Sequence, residues 1–262
     1  MAPFSSFDPV SMPKMSILVF LSILLCGIWI PRTRQLIQSE NRRVTILLLT
    51  FIFLLLPIVL FSGTDISLQL YGTYGRNTGF VAYLALLLIS TAATLLRQKS
   101  SFNLIIYSLF AAGVANVAYC LWALIFGDFI GWNNPYGNIL GTFGNPNFIG
   151  AFLGIFVSVL IAYLISPDVN LKVRIVGGVI VLVTLFEIEL SNAIQGIVVA
   201  AGGIALVFFF VIRAKFSSVI PTITYLIFVA IGGVFAVFGA LQKGPLTELI
   251  YKTSVSLRGE YW

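Results

Sequence analysis

The chain has 262 residues, 59% of them hydrophobic and 9% charged, with mean hydropathy +1.05 and formal net charge +6. A water-soluble domain carries roughly 25% charged residues, so that class is excluded. A membrane β-barrel is excluded as well, because the apolar runs are continuous and lack period-two alternation.

The expected fold is all-α, a polytopic transmembrane helix bundle with about eight membrane-spanning helices. Residues 1–14 are short, polar and proline-containing, and read as a disordered outer N-terminus. The transmembrane domain is placed at 15–241. Its predicted spans are Met15–Pro31, Val44–Ser62 with a kink at Pro57, Phe80–Leu96, Phe102–Phe126, Phe148–Ile165, Ile175–Ile188, Ala193–Ile212 and Val219–Leu241. Residues 242–262 are amphipathic and read as the start of a large outer loop.

Cys26 and Cys120 lie inside apolar runs and read as small hydrophobes, not as a disulfide. No cysteine cluster resembles a metal site and the chain has no histidine, so neither metal nor cofactor is expected. The basic residues fall at the ends of apolar runs, where they set topology and meet anionic headgroups. Membrane lipids are therefore expected partners, and nucleic acid is not.

Arg32, Arg34, Arg42, Arg43, Arg97, Lys99, Lys172, Arg174, Arg213 and Lys215 all fall in alternate connections. The other side holds only Lys14, Arg76, Lys243, Lys252 and Arg258. The positive-inside rule then makes the richer side cytoplasmic and predicts a multi-pass protein of the cytoplasmic membrane with both ends outside. Loops 63–79, 128–147 and 188–192 face outward and hold the candidate functional residues.

The segment 63–79 ends in Tyr74-Gly75-Arg76-Asn77-Thr78-Gly79. Arg76 runs against the charge bias, and its planar fork suits bidentate contact with a phosphate. An interfacial arginine among belt tyrosines is the plainer reading. In Gly141-Thr142-Phe143-Gly144-Asn145-Pro146-Asn147-Phe148-Ile149-Gly150, Pro146 pushes Asn145 out of the helical region, so a helix should start at or just after it. The Asn145 and Asn147 amides beside a helix N-terminus suit an anionic or sugar-like group; a bare N-cap is the alternative.

Glu187 and Glu189 are two residues apart and point to different faces of a helix, so at most one lines an interior. Arg76 and Arg258 are candidate ion partners for them. Ser191, Asn192 and Gln195 follow, opening the next span. Arg258 and Trp262 share a helical face, which places a guanidinium beside an interfacial indole.

Together these segments, in order and spacing, resemble the O-antigen ligase and polymerase family of bacterial membrane glycosyltransferases over roughly residues 63–262. The resemblance implies transfer of a glycan from an undecaprenyl diphosphate carrier to a glycan, lipid or protein acceptor at the outer face, without a metal. It also implies arginines on the departing diphosphate and a histidine in a large outer loop. Arg76 and Arg258 are the binding candidates, with Asn145, Asn147 and Gln195 as polar orienters. Tyr74, Asn77, Glu187, Ser191, Asn192 and Trp262 support them.

Two departures stand out: Ser191-Asn192-Ala193 replaces a Ser-Arg-Gly sequence common in the family, and no catalytic histidine exists in the chain. The sequence is therefore expected to be the amino-terminal part of such an enzyme, inactive alone. A multi-pass transporter or flippase of a lipid-linked or small polar substrate is the alternative, and a non-catalytic membrane scaffold a third.

Overall fold

The computed structural model of the chain describes residues 11–32, 34, 42–73, 77–96, 98–130 and 137–247. Among the described residues there are helices and turns and no strand. The helices are α1 (Ser11–Trp29), α2 (Arg42–Phe61), α3 (Ile66–Tyr71), α4 (Phe80–Ala93), α5 (Lys99–Phe126), α6 (Pro146–Ile165), α7 (Leu171–Leu190), α8 (Ile194–Lys215) and α9 (Ile220–Ala240). Short 3₁₀ turns cover Ile30–Arg32 and Gly141–Phe143.

Five of these, α2, α5, α6, α8 and α9, are long and apolar enough to cross a membrane, while Met12–Ile28 and Phe80–Ala93 are apolar but shorter. Helix α7 has 20 residues but carries Lys172, Arg174, Glu187 and Glu189. Large side chains stand uncovered on α2, with Leu47 and Phe53 69% and Phe61 83% exposed. Water would not tolerate so continuous an apolar face, whereas hydrocarbon does. The chain is a multi-pass helical membrane protein.

Several boundaries differ from the sequence reading. Helix α1 covers Ser11–Trp29, so helix is present before the predicted Met15–Pro31 span, with Pro13 in its first turn where a missing N–H needs no partner. Helix α2 runs through Pro57 without a break. The segment 63–79, read as a loop, contains α3, whose N-cap Asp65 accepts the Ser67 N–H at 2.7 Å and its hydroxyl at 2.8 Å. Those two bonds hold the Asp65 carboxyl below its ordinary range. Residues 1–10 and 248–262 lie outside the described residues.

The chain forms two compact units, Met1–Ile105 and Ile106–Trp262. In the first, α1, α2 and α3 all pack on α4. Its interior is thin: Ala85 and Leu87 are buried, and the Thr45 and Thr94 hydroxyls meet at 3.3 Å.

The second unit has a continuous core of Val117, Cys120, Ile149, Leu153, Phe156 and Ile188, with Ala200 from α8. Its tightest helix pair is α6 against α8. Gly150, Gly154 and Ser158 recur every fourth residue along α6 and face Gly196, Ala200 and Gly203 on α8. In hydrocarbon no hydrophobic force joins two helices, so close backbone approach over small residues does the work.

Candidate functional site

In the first unit, the sharp return from α3 to α4 shapes the connection between them. Gly72 ends α3 at φ 79°, with its N–H on Leu68 O at 2.8 Å. A Cβ on Gly72 would lie 2.5 Å from Thr78 N, and one on Gly79 would meet Gly72 N and Leu70 O. Two glycine backbones therefore press together, and Gly72 and Gly79 form a narrow neck between α3 and α4.

Asn77 returns the chain at φ 49°, and its N–H bonds Thr73 O at 3.0 Å. Its side-chain Nδ2 is buried and has no hydrogen-bond partner. Asn77 lines a groove of about 770 Å³ together with Met12, Val19 and Ile23 of α1 and Leu68 and Tyr71 of α3. The lining is largely apolar, with Ser16 of α1, Ser67 of α3 and Asn77 adding polar groups. Tyr74 and Arg76, in the same connection, lie outside the described residues.

In the second unit the 137–145 segment dips inward. Ile139, Leu140 and Gly141 are buried, and the Gly141–Phe143 turn sits against Asn116, ten residues before the end of α5. That is about 15 Å along the helix axis. Non-helical backbone at such depth is stable only where protein satisfies it.

Asn116 does so. Its Oδ1 accepts the Thr142 N–H at 3.2 Å and the Thr142 hydroxyl at 2.9 Å, while its Nδ2 donates to Ala112 O at 2.9 Å. Gly141 at φ 54° leaves no room for a Cβ, which would fall 2.5 Å from Ile149 Cδ1. Gly144 at φ 66° then turns the chain into α6.

Asn145 is the N-cap of α6 and Pro146 its first residue, as their order predicts. The Asn145 Oδ1 is occupied by the Asn147 N–H at 2.9 Å, so this oxygen serves the cap reading rather than a ligand. Asn147 is half-buried beside it.

Across the α7–α8 turn, Asn192 (φ 52°) donates from Nδ2 to Asn138 Oδ1 at 2.9 Å, tying that turn to the 137–145 segment. Ser191 is fully buried, donates to Ile188 O at 2.7 Å, and lies where a Cβ on Gly150 would reach its Oγ at 3.0 Å. Gln195 is half-buried, with its Oε1 enclosed and unpartnered.

The two glutamates separate as their spacing requires. Glu189 is exposed, while Glu187 is completely buried and neither of its carboxylate oxygens has a partner. Arg76 and Arg258, its candidate ion partners, lie outside the described residues, as does Trp262.

The second unit thus gathers Asn138, Asn145, Asn147, Glu187, Ser191, Asn192 and Gln195 at the end where α7 stops and α6 and α8 begin. Asn138, Asn116 and Thr142 escaped the sequence reading. Asn116 sits in the middle of a predicted span, and a buried amide there is a signal in its own right. Replacing Asn116 by alanine leaves the Thr142 N–H unpaired. It is expected to cost about 1–3 kcal/mol and to raise amide exchange across 139–144 before the helices respond. Exchange mapped by mass spectrometry checks this, and unchanged protection at 141–143 would remove the role assigned to Asn116.

Among the described residues no group of three or more His, Cys, Asp or Glu side chains could hold a metal ion. No protein-family model, curated protein or solved structure matches the chain.

Proposed function

We propose that the protein binds a polyprenyl diphosphate-linked glycan at the outer membrane face, as a glycan transferase resembling the O-antigen ligases would. The observation that carries this reading is the groove in the first unit. A largely apolar groove of about 770 Å³, lined also by Ser16, Ser67 and the unpaired Asn77 amide, offers both chemistries of a lipid tail joined to a polar head.

Arg76 stands in sequence between Tyr74 and Asn77, and its guanidinium is the proposed partner of the diphosphate. A departing diphosphate gains negative charge, which preorganised guanidinium and amide donors stabilise without a metal. The proposed donor is undecaprenyl diphosphate-linked and the acceptor a glycan, lipid or protein hydroxyl.

Photoactivatable undecaprenyl diphosphate, incubated with the protein in nanodiscs, tests the reading without requiring turnover. Labelling is expected on 12–23 and 67–81, competed by unlabelled carrier. Arg76→Ala is expected to weaken binding by about 1.5–3 kcal/mol, tenfold or more in affinity. Arg258→Ala is measured beside it. Labelling spread over all lipid-facing helices and indifferent to competitor would overturn the proposal.

A further inference from the structure

Glu187 is the one acidic side chain among the described residues that is both fully buried and without any partner. An ionised carboxylate has about four lone-pair sites to satisfy, and leaving them empty in a low-dielectric interior is among the most costly arrangements a protein can adopt.

The donors around Glu187 are already committed. The Thr184 hydroxyl, one turn earlier on α7, donates to Ile180 O at 2.7 Å. The Ser191 hydroxyl donates to Ile188 O at 2.7 Å, and the Ser191 N–H to the backbone oxygen of Glu187 at 2.9 Å. Asn116 on α5 spends its amide on Ala112 O. The other buried polar atom left bare at this end of the unit, Gln195 Oε1, is an acceptor too. Among the described residues, the buried side-chain atoms left without a partner at this end of the bundle are all acceptors. A proton on Glu187 supplies a donor.

Among those same residues no cation takes its place. Cys120 of α5 lies within electrostatic range of Glu187 and, separately, of Asp128, and none of these brings positive charge. Helix α6 carries no charged residue, and on α8 Arg213 and Lys215 are in the last turn, at the far end. On α7 itself Lys172 and Arg174 sit in the first turn, and Glu189 is exposed.

We propose that Glu187 is a proton-binding site that governs the outer end of the second unit. In the closed bundle the side chain is a neutral carboxylic acid. When it gives its proton to water at the outer face, the resulting carboxylate cannot stay in the packed interior. The α7–α8 turn must then part from α6 and from Cys120 to hydrate it. Proton release and opening are thus one event, held shut by the Gly150–Ser191–Gly196 contact and by the Asn138–Asn192 bond. This inference does not depend on the identity of the substrate.

Two measurements on the protein in nanodiscs test it. Infrared spectra at neutral pH are expected to show a carboxylic C=O band that shifts in D₂O and is absent from Glu187→Gln. In a Cys26→Ser background, the buried Cys120 thiol reports opening. Its modification rate is expected to rise with pH more steeply in the parent than in Glu187→Gln or Glu187→Met, which share the ordinary gain in thiolate but have no proton to lose. Glu189→Gln is expected to match the parent in both measurements. Two outcomes would overturn the proposal: a C=O band that survives in both Glu187 variants, or identical pH profiles of Cys120 modification. A parent lacking the band would overturn it equally, since Glu187 would then be ionised and held by a cation.

Discussion

Gly154→Leu is expected to separate α6 from α8 and to cost more than about 3 kcal/mol, at the upper end of overpacking penalties. Even a Cβ at this position would fall 2.9 Å from Ala200 N and 2.9 Å from Gly196 O, both backbone atoms. A crowded side chain could rotate away; a helix backbone cannot. The helices would have to move apart along the whole small-residue seam, including Gly150 against Gly196 and Gly203 against Ser158.

The contrast that isolates packing from helix propensity lies on α8 itself. A Cβ on Gly202 would meet nothing within 4 Å, although its neighbour Gly203 faces Ser158. Gly202→Ala is therefore expected to stabilise by about 0.5–1 kcal/mol, because alanine loses less backbone entropy than glycine in a helix interior. Gly154→Ala should destabilise. Opposite signs in thermal unfolding confirm the seam. Equal shifts would mean that α6 and α8 are not held by close backbone approach.

That seam explains part of what could be read in the sequence and what could not. Apolar run length gave the helices to within a few residues, since nothing except a helix satisfies its own backbone in hydrocarbon. The start of α6 followed from Asn145 and Pro146 alone, because proline restricts both its own residue and the one before it.

The partition of Glu187 and Glu189 followed from helical geometry. Which of the two would be buried did not, because that depends on α5 and α6, far away in the chain. The pairing of α6 with α8 was present as four-residue spacing of small residues, a pattern that hydropathy alone does not reveal. The inward dip of 137–145 was hidden for a different reason. A polar, glycine-rich stretch between two apolar runs reads as a surface loop, and only Asn116 inside the preceding helix hints that backbone comes down to meet it. Helix α3 escaped because its six residues are too few for a periodic signal, leaving Asp65 and Ser67 as the sole trace of a cap.

The glycine-rich composition of 70–79 was visible from the start, and the neck between Gly72 and Gly79 turns it into a large expected effect. In Gly79→Ala the new methyl group would be directed at Gly72 N and Leu70 O, with Leu70 C at 2.5 Å. Both opposing surfaces are backbone, so relief requires α3 and the start of α4 to part.

Gly63→Ala separates this clash from simple conformational strain. Gly63 has φ +70°, and a methyl group added there would meet nothing within 4 Å, so its substitution should cost only about 1–2 kcal/mol of left-handed backbone energy. Gly79→Ala should exceed that and should strip amide protection from 65–79 while leaving α6 to α9 unchanged. Because Asn77 lines the groove beside the same neck, Gly79→Ala is also expected to reduce undecaprenyl diphosphate labelling at least as far as Arg76→Ala does. If Gly79→Ala proves as mild as Gly63→Ala, the neck is looser than its backbone contacts imply. Loss of amide protection with labelling intact would instead detach the groove from the neck and leave the lipid-binding reading without its polar groups.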